Sequence, residues 1–342
     1  MSKVKLTGAE IIWECLIREG VNVVFGYPGG AILPTYDALG KYSDKVHHVL
    51  TRHEQGATHM ADGYARSSGK VGVAMATSGP GAANMVTGLA TAMMDSIPIV
   101  CITGQVPRPA IGSDAFQEMD ISGAVIPVTK HSYLVMEIEN LARTIKEAFA
   151  IARSGRPGPV LVDIPKDLQA EEFDFIYPEE PILLPGENPV ISDIDLNSLE
   201  QAASLISESK RPVILAGHGI LLSGASKEVI ELSEKGNIPS SWTLLGSGAV
   251  PASHHLNMGM MGMHGEFAAN NAIQKADLLI ACGMRFDDRV TGNTKTYSLE
   301  SKKIHIEIDP SEINKNVPVD VALVGDLKLI LSKLIPLLKK RQ

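Results

Sequence analysis

The residue whose neighbours best equip it for proton transfer is Glu54, in Leu50-Thr51-Arg52-His53-Glu54-Gln55-Gly56-Ala57. An apolar run gives way there to a helical pattern of small residues. A carboxylate in a first helical turn suits the positive end of the helix dipole and needs no further reason. Beside Ala57, Ala61 and a glycine turn, the same carboxylate equally fits an apolar pocket from which it exchanges a proton with a ligand. Two turns nearly free of side chains accompany it, Gly26-Tyr27-Pro28-Gly29-Gly30-Ala31 and Ala76-Thr77-Ser78-Gly79-Pro80-Gly81-Ala82-Ala83-Asn84. Glycine lets backbone amides approach a ligand closely, and a helix start can take an anion or a flat ring. Neither turn is a dinucleotide fingerprint or a Walker loop, and each can also be a tight strand-to-helix connection. The long polar loop from Gly104 through Arg108 to Glu118 has the character of a binding surface.

The second half carries a different chemistry. Gly217-His218-Gly219 follows a strand pattern but lacks the third glycine and the ribose-binding acid of a nicotinamide fingerprint. In Cys282-Gly283-Met284-Arg285-Phe286-Asp287-Asp288-Arg289-Val290-Thr291-Gly292, two arginines and two aspartates crowd a strand end. Two guanidiniums there suit a pyrophosphate; the alternative is a solvated ion-pair cluster. The methionine-rich stretch 258–264 is either core filler or a flexible wall around a flat ligand.

These segments need rigid elements to hold them. Continuous apolar runs at 21–25, 71–76, 99–103 and 160–164 read as buried parallel strands. Helical patterns at 8–20, 53–67, 81–94 and 141–154 lie between or beside them, which predicts a doubly wound α/β layer. The acids and prolines of 171–190 predict a linker. Beyond it, helices at 196–207, 226–235 and 327–338 and strands at 212–216, 278–281 and 303–308 predict a second layer of the same kind. The expected fold is therefore α/β with two doubly wound parallel-sheet domains, 1–170 and 191–342.

Composition removes several function classes. The 342 residues suit about two domains, and 44% hydrophobic with 20% charged residues excludes a disordered or low-complexity chain. The net charge of −8 argues against a nucleic-acid or anionic-membrane surface. No apolar run approaches the roughly 20 residues of a membrane span, and the first residues lack the apolar core of a signal peptide, so a cytoplasmic protein is expected. The three cysteines, Cys15, Cys101 and Cys282, are widely separated and contain no Cys-x-x-Cys, which makes them expected core residues rather than zinc ligands or disulfide partners.

Together the segments 25–31, 52–57, 78–84, 95–106, 112–117, 156–167 and 285–292 resemble the catalytic subunit family of acetolactate synthase (acetohydroxyacid synthase), over about residues 6–338. The resemblance implies a thiamine-diphosphate pyrimidine-binding domain at 1–170 and a Rossmann-like central FAD-binding domain at 191–342. It implies a transferase of branched-chain amino acid synthesis that decarboxylates pyruvate and passes the two-carbon unit to a second 2-keto acid, pyruvate or 2-ketobutyrate. In that family the glutamate matching Glu54 bonds a nitrogen of the aminopyrimidine ring and so promotes cofactor activation. Gly29, Gly30, Pro80, Asn84 and Gln117 match positions around thiamine diphosphate, and Lys166 matches a residue near the active-site channel. The positions matching FAD contacts are Ser96, Arg156, Gly217, Thr243, Leu244, Met263, His264, Gly283, Arg285, Asp287, Arg289, Glu307, Ile308 and Asp326, with the flavin expected between the domains.

Family members also carry a third domain, in which Gly-Asp-Gly followed by Asn-Asn holds Mg2+ and the cofactor diphosphate. No Gly-Asp-Gly occurs in this sequence. The expectation is a chain with the first two domains only, no metal ligands of its own and little activity alone, acting in a homodimer or higher oligomer, with a regulatory small subunit as a further candidate partner. Two rivals stand beside this reading. One is a sister thiamine-diphosphate carboligase, decarboxylase or oxidase, and the other a non-catalytic FAD-binding or assembly module.

Overall fold

A computed structural model of the protein describes residues 4–182 and 194–341. The chain divides into two compact units, Met1–Glu187 and Asn188–Gln342.

The first unit contains strands β1 (Val4–Thr7), β2 (Val23–Gly26), β3 (His47–Leu50), β4 (Gly72–Ala76), β5 (Ile99–Gln105), β6 (His131–Leu134), β7 (Val160–Pro165) and β8 (Glu172–Phe175). Six of them form one sheet in the order β3-β2-β4-β5-β7-β6, with every neighbouring pair parallel. Every residue of β4, β5 and β7 is buried, as a parallel strand covered by helices on both faces must be. Trp13, Phe149 and Ile145 pack on one face and Leu89, Met85 and Ile121 on the other. The helix Glu54–Ser68 crosses from β3 to β4, starts at a His53 cap and stops at Gly69, where φ is 70°. The strand order reverses at β2, with β3 on one side and β4 on the other, so the switch point lies between the carboxyl ends of β2 and β4. Open α/β sheets bind ligands at such a switch point.

The second unit contains β9 (Pro212–Ala216), β10 (Ser240–Trp242), β11 (Asn257–Met260), β12 (Leu278–Cys282), β13 (Lys302–Glu307) and β14 (Val321–Val324). They form a parallel sheet in the order β11-β10-β9-β12-β13-β14. Its switch point lies between β9 and β12. The helix Leu196–Glu208 starts on an Asp195 side chain that accepts from the Asn197 and Ser198 amides, and the last helix, Leu327–Leu334, ends in a 3-10 turn at Ile335–Leu337. Both units are thus doubly wound parallel layers. No helix among the described residues is long and apolar enough to cross a membrane.

Three features depart from the sequence reading. The stretch expected to be a linker from residue 171 begins with β8, which pairs antiparallel with β1 through Leu6 and Phe173; residues 183–190 of that stretch lie outside the described residues. The helix expected over 81–94 is two helices, Pro80–Ala83 and Val86–Asp95, separated at Asn84 and Met85. The four edge strands β3, β6, β11 and β14, and the short polar β10, are additions to the expected set. β3, β6 and β11 have no fully buried residue and lack the continuous apolar run that announces a central strand, whereas β14 is an apolar run of only four residues, two of them buried.

Candidate functional site

In the first unit the carboxyl ends of β2, β3, β4, β5 and β7 bring Gly29, Glu54, Thr77, Gly79, Gly81, Asn84, Gln117 and Lys166 to one edge of the sheet. Glu54 opens its helix and is only 9% exposed. Its Oε2 accepts a hydrogen bond from Asn84 Nδ2 at 3.0 Å. Its Oε1 lies over Gly81, 3.3 Å from where a β-carbon would stand. The Thr77 methyl closes the same space from the other side. A β-carbon at Gly29 would come within 2.5 Å of it and one at Gly81 within 2.7 Å. The Thr77 hydroxyl accepts from the Ala31 amide at 3.1 Å, which fixes the glycine turn after β2. Glycine is therefore required at 29 and 81 by close approach, while Gly30 has open space beside it.

Tyr36 borders this cluster. Its hydroxyl fills the space beside Gly26 and bonds with His48 Nε2 at 3.2 Å. Burial, and then the Glu54 carboxylate, push its pKa up, so it stays a neutral phenol. Gln117 is in the left-handed region at φ 59°, and its main chain packs on Gly79, whose β-carbon would stand 2.5 Å from the Gln117 carbonyl oxygen. Pro80 is exposed at the start of the short helix that Gly79 precedes. Lys166 is half-buried as the first residue of the helix leaving β7. A flat heteroaromatic ring with a basic nitrogen suits this cradle, because the backbone is bare and a carboxylate with one oxygen held by Asn84 stands against it.

Ser96 and Arg156 stand elsewhere in the unit. Ser96 caps the helix before β5 and Arg156 precedes β7, so both lie at the amino edge of the sheet. Arg156 Nε donates to Ser96 Oγ at 2.8 Å.

The second unit gathers the other predicted positions at the carboxyl edge of its own sheet. Gly217 follows β9, Thr243 and Leu244 follow β10, Met263 and His264 lie beyond β11, and 283–289 follow β12. Glu307 ends β13 with Ile308 next to it, and Asp326 follows β14. At the switch point the backbones of the β9 and β12 turns touch. Gly217 N donates to Cys282 O at 2.9 Å and Gly219 N to Gly283 O at 3.0 Å, and a β-carbon at Gly217 would stand 2.1 Å from Gly283 O. Several predicted polar residues serve the backbone. Asp287 caps the turn Asp288–Thr291 through the Arg289 and Val290 amides, Thr243 Oγ1 accepts from Gly246 N, Asp326 caps the last helix, and Glu307 Oε1 accepts from Ile308 N at 2.9 Å. Arg289 Nε lies 3.9 Å from an Asp288 carboxylate that is itself 80% exposed, a loose, solvated pair of the kind the ion-pair alternative describes. Leu244, Met263 and Ile308 are exposed apolar side chains on the same edge, so arginines and an apolar wall stand together as a dinucleotide would need.

Sequence reading passed over Thr77, Tyr36, Gln105, Asp163 and Gly246. Thr77 and Gln105 stood inside quoted turns, but only the fold gives them partners. The three cysteines are buried in the two cores, where desolvation pushes each thiol up, Cys282 to about 12.

Two family profiles match the chain: the thiamine pyrophosphate enzyme N-terminal TPP binding domain over residues 6–124, and the thiamine pyrophosphate enzyme central domain over residues 199–334. A probable acetolactate synthase large subunit of Methanocaldococcus jannaschii is 52% identical over 332 residues, 96% of this chain and 56% of that protein. An acetolactate synthase of Mycobacterium bovis is 52% identical over 335 residues, 98% of this chain and 54% of that protein. A Corynebacterium glutamicum acetolactate synthase large subunit is 50% identical over 331 residues, 97% and 52% of the two chains. The chain spans about half the length of these curated relatives.

Beside the candidate site a carboxyl group is buried between two neutral donors. Asp163, 1% exposed, accepts from Thr103 Oγ1 and Gln105 Nε2, each at 2.7 Å. Desolvation pushes its pKa up from 3.8 to about 7; the Thr103 and Gln105 bonds pull it down, and Asp120 adds a smaller push upward. The folded state therefore binds a proton that the unfolded state releases near pH 4. Stability from this group is full below that pH, falls as pH rises toward about 7, and is level above it. Asp163→Asn keeps an oxygen for Gln105 and removes the titration. In urea unfolding, the variant should gain on the wild type by on the order of 3 kcal/mol between pH 4 and pH 8. A difference independent of pH contradicts the assignment.

Proposed function

The chain belongs to the thiamine pyrophosphate enzyme family, and from that premise we propose that it supplies the pyrimidine-binding and central domains of an acetolactate synthase large subunit. The reaction is decarboxylation of pyruvate and transfer of its two-carbon unit to pyruvate or 2-ketobutyrate. The observation that carries this reading is the buried Glu54 carboxylate, with one oxygen held by Asn84 and the other packed beside the bare backbone of Gly81. Thiamine diphosphate, when bound, supplies the carbon nucleophile and the electron sink for loss of carbon dioxide.

This chain's residues supply position and a proton path. Glu54 would exchange a proton with a ring nitrogen of the cofactor, and Asn84 keeps the carboxylate from rotating away. Gly29, Gly30 and Pro80 would border the ring with backbone and little bulk, Gln117 would close the side next to Gly79, and Lys166 would offer a cation to the substrate. In the second unit, Arg285 and Arg289 would hold the pyrophosphate of FAD, Leu244, Met263 and Ile308 would cover its apolar surface, and Gly217 and Gly283 would present backbone to it. Ser96 and Arg156 belong to the same flavin assignment through the family match alone. None of these residues is assigned to the diphosphate or Mg2+, which the family reading gives to a third domain. Oligomerisation, a regulatory small subunit and a cytoplasmic location belong to the proposal on the same footing.

Mixing tests it. The 342-residue chain with thiamine diphosphate, Mg2+ and pyruvate should form little acetolactate, and addition of a separately expressed third domain from a relative should restore formation that depends on Glu54. Acetolactate at an ordinary enzymatic rate, on the order of 10 s⁻¹, from the chain alone contradicts the proposal.

The flavin assignment has its own check. A charge-assisted arginine bond is worth about 1.5–3 kcal/mol, so Arg285→Ala should weaken FAD roughly ten- to a hundredfold. Fluorescence titration of FAD reads this directly, and unchanged affinity places the flavin elsewhere.

A further inference from the structure

One side chain with no part in the assignment above closes the base of the loop that carries Gln117. Gln105 is the last residue of β5 and is 4% exposed. Its Nε2 donates to Asp163 Oδ2 at 2.7 Å and to Met119 O at 2.8 Å, and its Oε1 accepts from Val106 N at 2.9 Å. Both amide protons and the amide oxygen are thus used, and Asp163, held in turn by Thr103, dictates which way the amide points. A single buried side chain joins residue 105 to residue 119.

The rest of the loop is held more weakly on its second half. Arg108, near the start, pairs with Asp167 at 2.7 Å and Glu171 at 2.6 Å. Near the end, the Glu118 carboxylate accepts from the amides of Gly112 and Ala115. Those bonds tie the loop to itself; beyond Gln117 the chain reaches the core only at Met119, which packs against it, and at the buried Ile121. Gln117, two residues before Met119, rests on Gly79 so closely that no side chain fits between them. A shift at Met119 therefore passes to Gln117.

We propose that Gln105 is a positioning residue, a staple from β5 through Met119 O that seats Gln117 against the Gly79–Gly81 turn. Its importance for turnover rests on the reading of Gln117 as a cofactor neighbour; the staple itself is a property of this chain and is measured without cofactor. Amide hydrogen exchange over 112–121 in the whole chain is the readout. Gln105→Glu is isosteric but loses both donors and sets an acceptor against Asp163 and Met119 O; Gln105→Met removes the amide altogether and serves if the first variant folds poorly. Either should speed exchange of the segment by at least about tenfold. Asp163→Asn alone keeps an acceptor for Gln105 and should leave the segment near its wild-type rate.

The double variant Gln105→Glu with Asp163→Asn separates seating from general stability. It re-forms an amide–carboxylate pair between β5 and β7 but leaves Met119 O with the Ile121 amide as its donor and no bond to β5. Its Tm should recover toward that of the wild type while 112–121 continues to exchange fast. Wild-type exchange in both single Gln105 variants, or recovery of exchange together with Tm in the double variant, overturns the proposal. Failure of the functional reading looks different: Gln117→Ala would leave thiamine diphosphate affinity unchanged in the complemented enzyme while the exchange results stood.

Discussion

The candidate site depends on Glu54 being buried with one oxygen held by Asn84 and the other set beside bare backbone. A buried carboxylate left without donors costs several kcal/mol, so Asn84 is as necessary to the arrangement as Glu54 itself. The glycine backbone is held in place by Thr77. Its methyl occupies the volume that side chains at 29 and 81 would need, and its hydroxyl holds the Ala31 amide. One β-branched residue just after β4 thereby shapes both glycine turns beside Glu54.

Both units use the same topological device for different purposes. Each sheet reverses its strand order beside its first central strand, and each reversal is lined by glycines that allow close approach. In the first unit the clearance surrounds a carboxylate and suits a basic ring. In the second, the clearance is spent on backbone packing between Gly217, Gly219 and Gly283, while arginines and exposed apolar side chains stand around it. The two edges therefore differ in what they offer a ligand, although the folds that present them are alike.

Much of this was legible in the residues. The central strands announced themselves because parallel strands buried on both faces are apolar throughout, and Glu54 stood out because a carboxylate at a strand-to-helix junction is conspicuous among alanines. Two edge strands were illegible for the converse reason: no residue of His47–Leu50 or Asn257–Met260 is fully buried, and both stretches mix polar and apolar residues and read as loops. β8 hid in a stretch of acids and prolines because its role is pairing with β1, which no local pattern encodes. Thr77, Gln105 and Asp163 act through partners tens of residues away, and Asp287 could be read as part of a charged cluster when its carboxylate caps a turn. The separation of Ser96 and Arg156 from Glu54 followed only once the strands had a common direction.

Exchange of the thiazolium C2 proton of thiamine diphosphate for deuterium, followed by quenched NMR on the enzyme complemented with a third domain, tests the role of Glu54 most directly. The account predicts that Glu54→Gln slows this exchange by orders of magnitude while the circular dichroism of the fold and the affinity for FAD stay at wild-type values. Exchange at the wild-type rate in that variant would contradict it.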